Sequence, residues 1–139
     1  MAGDCIFCAI VAGTAPARVV QEDDRTLAFL DIAPITRGHT LVIPRRHCRD
    51  LIDVRTEDMV SVALMARDVS RRAMAALGAD GINLLQASGE AALQTVFHFH
   101  VHVLPRYRND RVHMPENFVR RDMGDPAELD AVAKQLTQE

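Results

Sequence analysis

The sequence predicts an α+β fold: one antiparallel sheet, a long helix and shorter helices at the two ends. Three observations predict it. Short apolar runs rich in Val, Ile, Leu and Phe alternate with polar turns too short for the crossovers that parallel strands need. One long stretch, Thr56 to Leu77, carries apolar residues at helical spacing. The segments at the two ends read as short helices. The 139 residues contain no repeat, no low-complexity tract and no Pro/Gly/Ser linker. They make a single domain over 1–139, with a core of about 1–107 and a C-terminal tail and helix over 108–139.

Cys5 to Ala12 is apolar and ends at Gly13, which predicts a short helix stopped by the glycine. Val19–Val20, Thr26–Ile32 and Thr40–Ile43 read as strands, separated by Glu22-Asp23-Asp24 and by Pro34 through Gly38. The long helix follows, with Thr56 as its cap and Glu57 and Asp58 in the first turn, where negative charge favours the helix dipole. Met59, Val62, Ala63, Ala66, Val69, Ala73 and Leu77 form its buried face, Arg67, Asp68, Arg71 and Arg72 lie outside it, and Gly78 ends it. Gly81–Gln86 and Val96–Leu104 are the remaining strands. Asp125-Pro126-Ala127-Glu128 has the cap, early proline and following carboxylate of a helix start, and Leu129, Val132, Ala133 and Leu136 form the stripe behind it. The charged stretch 108–121 between them is expected to be a solvated tail, with a lid as the alternative.

Hydrophobic residues are 48% of the chain and aromatics only 4%, with no Trp, so the core is built from Val, Leu, Ile, Ala and Met. A net charge of −3 argues against general nucleic-acid or membrane-surface binding, which needs a basic excess. It leaves room for a small anionic ligand held by local arginines. No apolar run approaches the ~20 residues that span a bilayer, and Asp4 sits where an export signal is basic. A cytoplasmic location is expected, where three cysteines serve as thiols or metal ligands rather than disulfides.

The most informative stretch runs from Gln94 to Arg106. On a strand, His98, His100 and His102 share one face, while Phe97, Phe99, Val101 and Val103 share the other, which must be buried. Successive imidazoles on that face stand roughly 6.6 Å apart, so two of them can serve one phosphate group. The same residues also allow a metal site or a half-exposed strand that merely displays histidines. Near the N-terminus, Cys5-Ile6-Phe7-Cys8 has the spacing of a zinc knuckle.

His98-Phe99-His100-Val101-His102-Val103-Leu104 matches the His-φ-His-φ-His-φ-φ signature of the histidine-triad (HIT) superfamily at every position. Gln94-Thr95-Val96, Pro105-Arg106, Leu27 through Ile32 and Arg37 through Pro44 resemble the same family in the same order. The resemblance implies a five-stranded antiparallel sheet, extended by homodimerisation; a small sheet alone leaves edges to cover. It also implies a purine nucleotide substrate. His100 is then the nucleophile that attacks the α-phosphorus and forms a nucleotidyl-histidine, which water resolves to the nucleoside monophosphate. His102 would contact the phosphate and assist the leaving group, with His39 in support. Gln94 and Thr95 would donate to phosphate oxygens, and Asp31 would accept from the ribose. Ile6, Phe7, Ile10, Phe29 and Ile32 would surround the base. Many bacterial relatives bind a structural zinc through residues matching Cys5, Cys8, His47 and His98, which leaves Cys48 a bystander.

Two departures stand out: Ala87 where many relatives have Asn, and Leu93 where many have Gly. The substrates implied are nucleoside phosphoramidates or nucleotidyl esters, with dinucleoside polyphosphates (hydrolysis or phosphorolysis) as the alternative. A nucleotide-binding scaffold with weak catalysis, and a metalloenzyme using the triad as ligands, are the readings from other classes. The uridylyltransferase branch carries Pro where this chain has Phe99.

Overall fold

The computed structural model describes residues 4–137; the outermost residues of the expected 1–139 domain lie outside that range. The order of elements is α1 (Ile6–Ala12), β1 (Val19–Glu22), β2 (Thr26–Leu30), β3 (Thr40–Pro44), α2 (Thr56–Leu77), β4 (Gly81–Leu85), a single 3-10 turn (Glu90–Ala92), β5 (Val101–Arg106), α3 (Glu116–Val119) and α4 (Pro126–Thr137). The strands form one five-stranded sheet in the order β1-β2-β3-β5-β4, antiparallel throughout. The α+β, five-stranded expectation holds.

Both faces of the central strands are covered, which is why β2 and β3 are buried at every position. Ala28, Leu30 and Val42 join Phe99, Val101 and Val103 in a core closed by Val62, Met65, Ala66 and Val69 of α2 and by Leu129, Val132 and Leu136 of α4. Leu27, Phe29, Leu41 and Ile43 point the other way, onto Phe7 of α1. The period-two alternation of strand side chains therefore separates a structural core from the face that carries the histidines.

The helix ends follow local chemistry. Gly13 and Gly78 take left-handed backbone (φ 77° and 68°) and close α1 and α2, as their positions predict. Asp125 Oδ2 accepts the Glu128 N–H at 3.1 Å and caps α4. Thr56, by contrast, does not cap α2: it is the first helical residue, and the cap position falls on Arg55, which makes no side-chain capping bond. The buried face of α2 is also rotated from the expected one. Ala63 is exposed, and Met65, about 200° further round the helix, is buried in the core.

Two further expectations are corrected. The last strand begins at Val101, not Val96; the chain bends at 96–98 before entering it, tied by Phe99 N–H to the Cys48 carbonyl at 2.8 Å. Phe97 leaves the core and lies under the Arg49 guanidinium, 5.2 Å from its ring centroid. Nor does 108–121 extend into solvent as a tail. It forms α3 and returns to the histidine face, and just beyond it the Gly124 N–H donates to the Ile32 carbonyl at 2.7 Å.

Candidate active site and metal centre

Although the strand proper starts late, the alternation persists through its lead-in. Phe99, Val101 and Val103 fill the core, and this turns His98, His100 and His102 to the opposite side. His100 and His102 line a cavity of about 970 Å³, large enough for a nucleotide. His98 faces the N-terminal cysteines instead. The triad is thus divided between two places.

Hydrogen bonds fix the tautomers. A carbonyl only accepts, so His100 Nδ1 carries the hydrogen that reaches the His98 carbonyl at 2.7 Å, and Nε2 keeps its lone pair. The Ile35 N–H donates to His39 Nδ1 at 3.1 Å, which leaves the hydrogen of neutral His39 on Nε2. That atom lies 2.9 Å from His102 Nδ1, which must accept; His102 Nε2–H is then a donor with no partner among the described residues. Burial holds these rings neutral. It pushes His39 down to about 3, with Arg121 and then His100 adding to the effect, and His102 to about 2, with His39 and then His100 adding to it. His100 is lowered too, chiefly by burial.

The residues expected to surround a nucleotide all line the cavity: Ile6, Phe7, Ile10, Phe29, Asp31, Ile32, Gln94 and Thr95. Ile6 and Ile32 are exposed into it, 52% and 53%, rather than packed away. His39 is behind His102 and is not part of the wall. Gln94 is engaged on all sides: Oε1 accepts the Gly89 N–H at 2.7 Å, and Nε2 donates to the Arg49 and Val96 carbonyls. Its amide therefore braces the loop before the triad. Thr95 is exposed. Ala87 is buried in the wall, and Leu93 holds a left-handed backbone at φ 76°, a conformation that suits the glycine of relatives.

Arg121 and Phe118 are among the wall residues that were not expected. Arg121 Nη1 donates to Asp31 Oδ2 at 2.7 Å and to the Ala33 carbonyl at 3.2 Å, while Asp31 Oδ1 accepts the Ala33 N–H at 2.8 Å. Phe118 packs edge-on against His102, with centroids 5.1 Å apart. No sequence pattern links Arg121 to Asp31 across 90 positions.

Cys5, Cys8, His47 and His98 come together as expected, with their ligand atoms all within 4.8 Å of one another. Cys5 Sγ and Cys8 Sγ lie 3.3 and 3.5 Å from His98 Nδ1, and Cys8 Sγ is 3.3 Å from His47 Nδ1. Zn–S and Zn–N bonds at tetrahedral angles set a sulfur-to-nitrogen edge of roughly 3.5 Å, so the four residues fit zinc. His98 Nε2 donates to the Pro44 carbonyl at 2.8 Å, which leaves Nδ1 free to ligate, the outer-shell arrangement of a metal histidine. Burial, with Cys5 beside it, raises the Cys8 thiol to about 11, so a metal must displace its proton. Cys48 is buried in the core, away from this group.

A five-stranded sheet with this split histidine triad over a nucleotide-sized cavity defines a histidine-triad protein, and residues 12–109 match the HIT domain. The chain belongs to the HIT family. It is 45% identical over 119 residues to an uncharacterized HIT-like protein of Mycobacterium tuberculosis, covering 85% of this chain and 83% of that one. It is 35% identical over 133 residues to an adenylylsulfatase of Arabidopsis thaliana, covering 96% of this chain and 66% of that protein. A zinc-bound histidine triad family protein of Mycobacterium smegmatis superposes with a TM-score of 0.84 at 42% identity, over 98% of this chain and 95% of that one.

Proposed function

We propose that this chain is a nucleotide hydrolase or nucleotidyltransferase in which His100 Nε2 attacks the α-phosphorus of a purine nucleotide. The observation that carries it is the pair of fixed tautomers: an unprotonated His100 Nε2 beside a donating His102 Nε2, with ring centroids 4.9 Å apart on one cavity wall. A nucleophile and a donor at that spacing suit phosphoryl transfer. As the P–N bond forms, His102 Nε2–H stabilises charge on the phosphate and the departing group. Water then releases the nucleoside monophosphate. The ribose belongs at Asp31, and the base between Phe7, Phe29 and the exposed faces of Ile6, Ile10 and Ile32. The adenylylsulfatase relative supports a nucleotidyl substrate. Cys5, Cys8, His47 and His98 hold a structural zinc, which has no open position for substrate once four protein ligands are bound. A homodimer in a reducing, cytoplasmic compartment completes the proposal.

The test is to quench a reaction with an adenosine phosphoramidate or nucleotidyl ester and mass-map the protein. The expected adduct is one nucleoside monophosphate on the peptide that carries His100. His100→Ala should remove the adduct and lower the rate by roughly 10³-fold or more while the fold survives. An unchanged rate in that variant removes His100 as nucleophile.

A further inference from the structure

We infer that Arg121 reads the leaving group, selecting nucleotidyl substrates that release an oxyanion such as sulfate, phosphate or carboxylate. The inference rests on the nucleotidyl-transfer reading above and specifies its substrate class.

The argument starts from unused donors. Arg121 spends Nη1 on Asp31 and on the Ala33 carbonyl, and its Nε and Nη2 groups have no acceptor among the described residues. The Nε/Nη2 edge is the planar fork that matches two oxygens of one anion. The Arg121 side chain is only 21% exposed and lies on the cavity wall, so an anion there meets it partly desolvated, where the charge counts for more. Asp31 and Ala33 hold the head in place, so little rotamer entropy remains to be lost on binding.

Phe118 sets where the fork lies. Its ring packs against His102 and also lies 5.6 Å from Arg121 Cζ, so guanidinium and imidazole flank one aromatic ring. Arg121, anchored on Asp31, and His102 thus share one part of the cavity wall, and the departing group is assigned to it.

The chemistry agrees with this placement. His100 Nε2 forms the P–N bond while the bond from phosphorus to the leaving oxygen breaks, and the electron pair departs on that oxygen. An oxyanion leaves without accepting a proton, so a hydrogen bond from neutral His102 and a fixed guanidinium charge are sufficient. An amine must gain a proton to leave, so a fixed guanidinium charge helps its departure less than that of an oxyanion. In the second step water bonds to phosphorus, the P–N pair returns to Nε2, and the water's proton passes to solvent.

The test compares adenosine 5′-phosphosulfate with adenosine 5′-phosphoramidate, which share the adenylyl group and differ in what departs. In R121Q the ratio of kcat/KM for the phosphosulfate over the phosphoramidate should fall about tenfold or more, the scale of a lost charge-assisted pair. R121K, which keeps the charge and loses the fork, should fall between. Taking the ratio within one preparation removes any loss of folded protein. An equal loss on both substrates would assign Arg121 to the α-phosphate or to the fold, and would overturn the inference. If the wild type turns over neither substrate and His100 carries no adduct, the catalytic proposal fails separately. Calorimetry then decides: a wild-type preference for α,β-methylene-ADP over AMP that R121Q loses supports the fork, and an absent or unchanged preference overturns it.

Discussion

His39 lies behind His102 and touches no part of the cavity, yet it determines what His102 presents there. Sequence resemblance marks it as a supporting residue; only the Ile35 N–H bond to its Nδ1 shows how, by leaving the hydrogen on Nε2. Both rings are buried neutral, and that has a consequence for stability. Their pKa values, about 3 and about 2, lie below the ordinary 6.5, so between those limits the unfolded chain binds more protons than the folded one. Their stabilising contribution is complete above about pH 6.5 and is withdrawn as pH falls, at up to about 1.4 kcal/mol per pH unit for each ring. Urea midpoints should therefore drop from pH 7.5 to pH 5, before most carboxylates titrate. His39→Phe, which has no proton to take up, should flatten the slope. A midpoint constant over that interval would refute the buried neutral pair. Asp31 gives a second lesson at this scale. Its two oxygens do different things: Oδ1 closes the turn at Ala33 while Oδ2 faces Arg121.

Among the elements, those with strong periodicity or a glycine stop were legible: α1, α2 and α4 begin or end where Gly13, Gly78 and Asp125 require. The lead-in to β5 was legible as alternation but not as strand. Side chains alternate between core and site from His98 to Val103, whereas β3 pairs with β5 only over residues 101–103. The α3 segment was illegible because its anchors are an ion pair and an aromatic edge to distant residues, and neither leaves a local period. The Cys/His group joins three separate pieces: α1 through Cys5 and Cys8, the turn after β3 through His47, and the β5 lead-in through His98. Phe7, between the cysteines, also packs its ring 5.2 Å from that of His100. Stripping metal with a chelator should thus cost about 3 kcal/mol, a shift in Tm of roughly 10 °C for a chain of this size. Zinc readdition should restore it, and Cys8→Ala should lower Tm without responding to chelator. Purified protein that carries no zinc and whose Tm ignores both treatments would end the structural-metal proposal.

At the scale of the whole molecule, the sheet is finished on its faces but not along its edge. α1, α2 and α4 cover the central strands, while β4 pairs only with β5 and has an exposed outer side. Leu84 on that strand is 56% exposed, and Val60 and Leu64, one turn apart on α2, are 53% and 48% exposed. A free strand edge invites pairing with a second strand, and scattered apolar side chains beside it add area that water disfavours. A second copy bringing its own β4 and α2 to this side would satisfy both requirements at once, through an isologous contact about a two-fold axis. This is the form the homodimer should take, and it leaves the cavity, on the α1 side of the sheet, open to substrate. Light scattering at micromolar concentration should return twice the chain mass for the wild type. Leu84→Glu places two like charges near the axis and should return the single-chain mass, with far-UV circular dichroism unchanged. A monomeric wild type would rule the dimer out. A dimer that survives Leu84→Glu would move its interface away from β4.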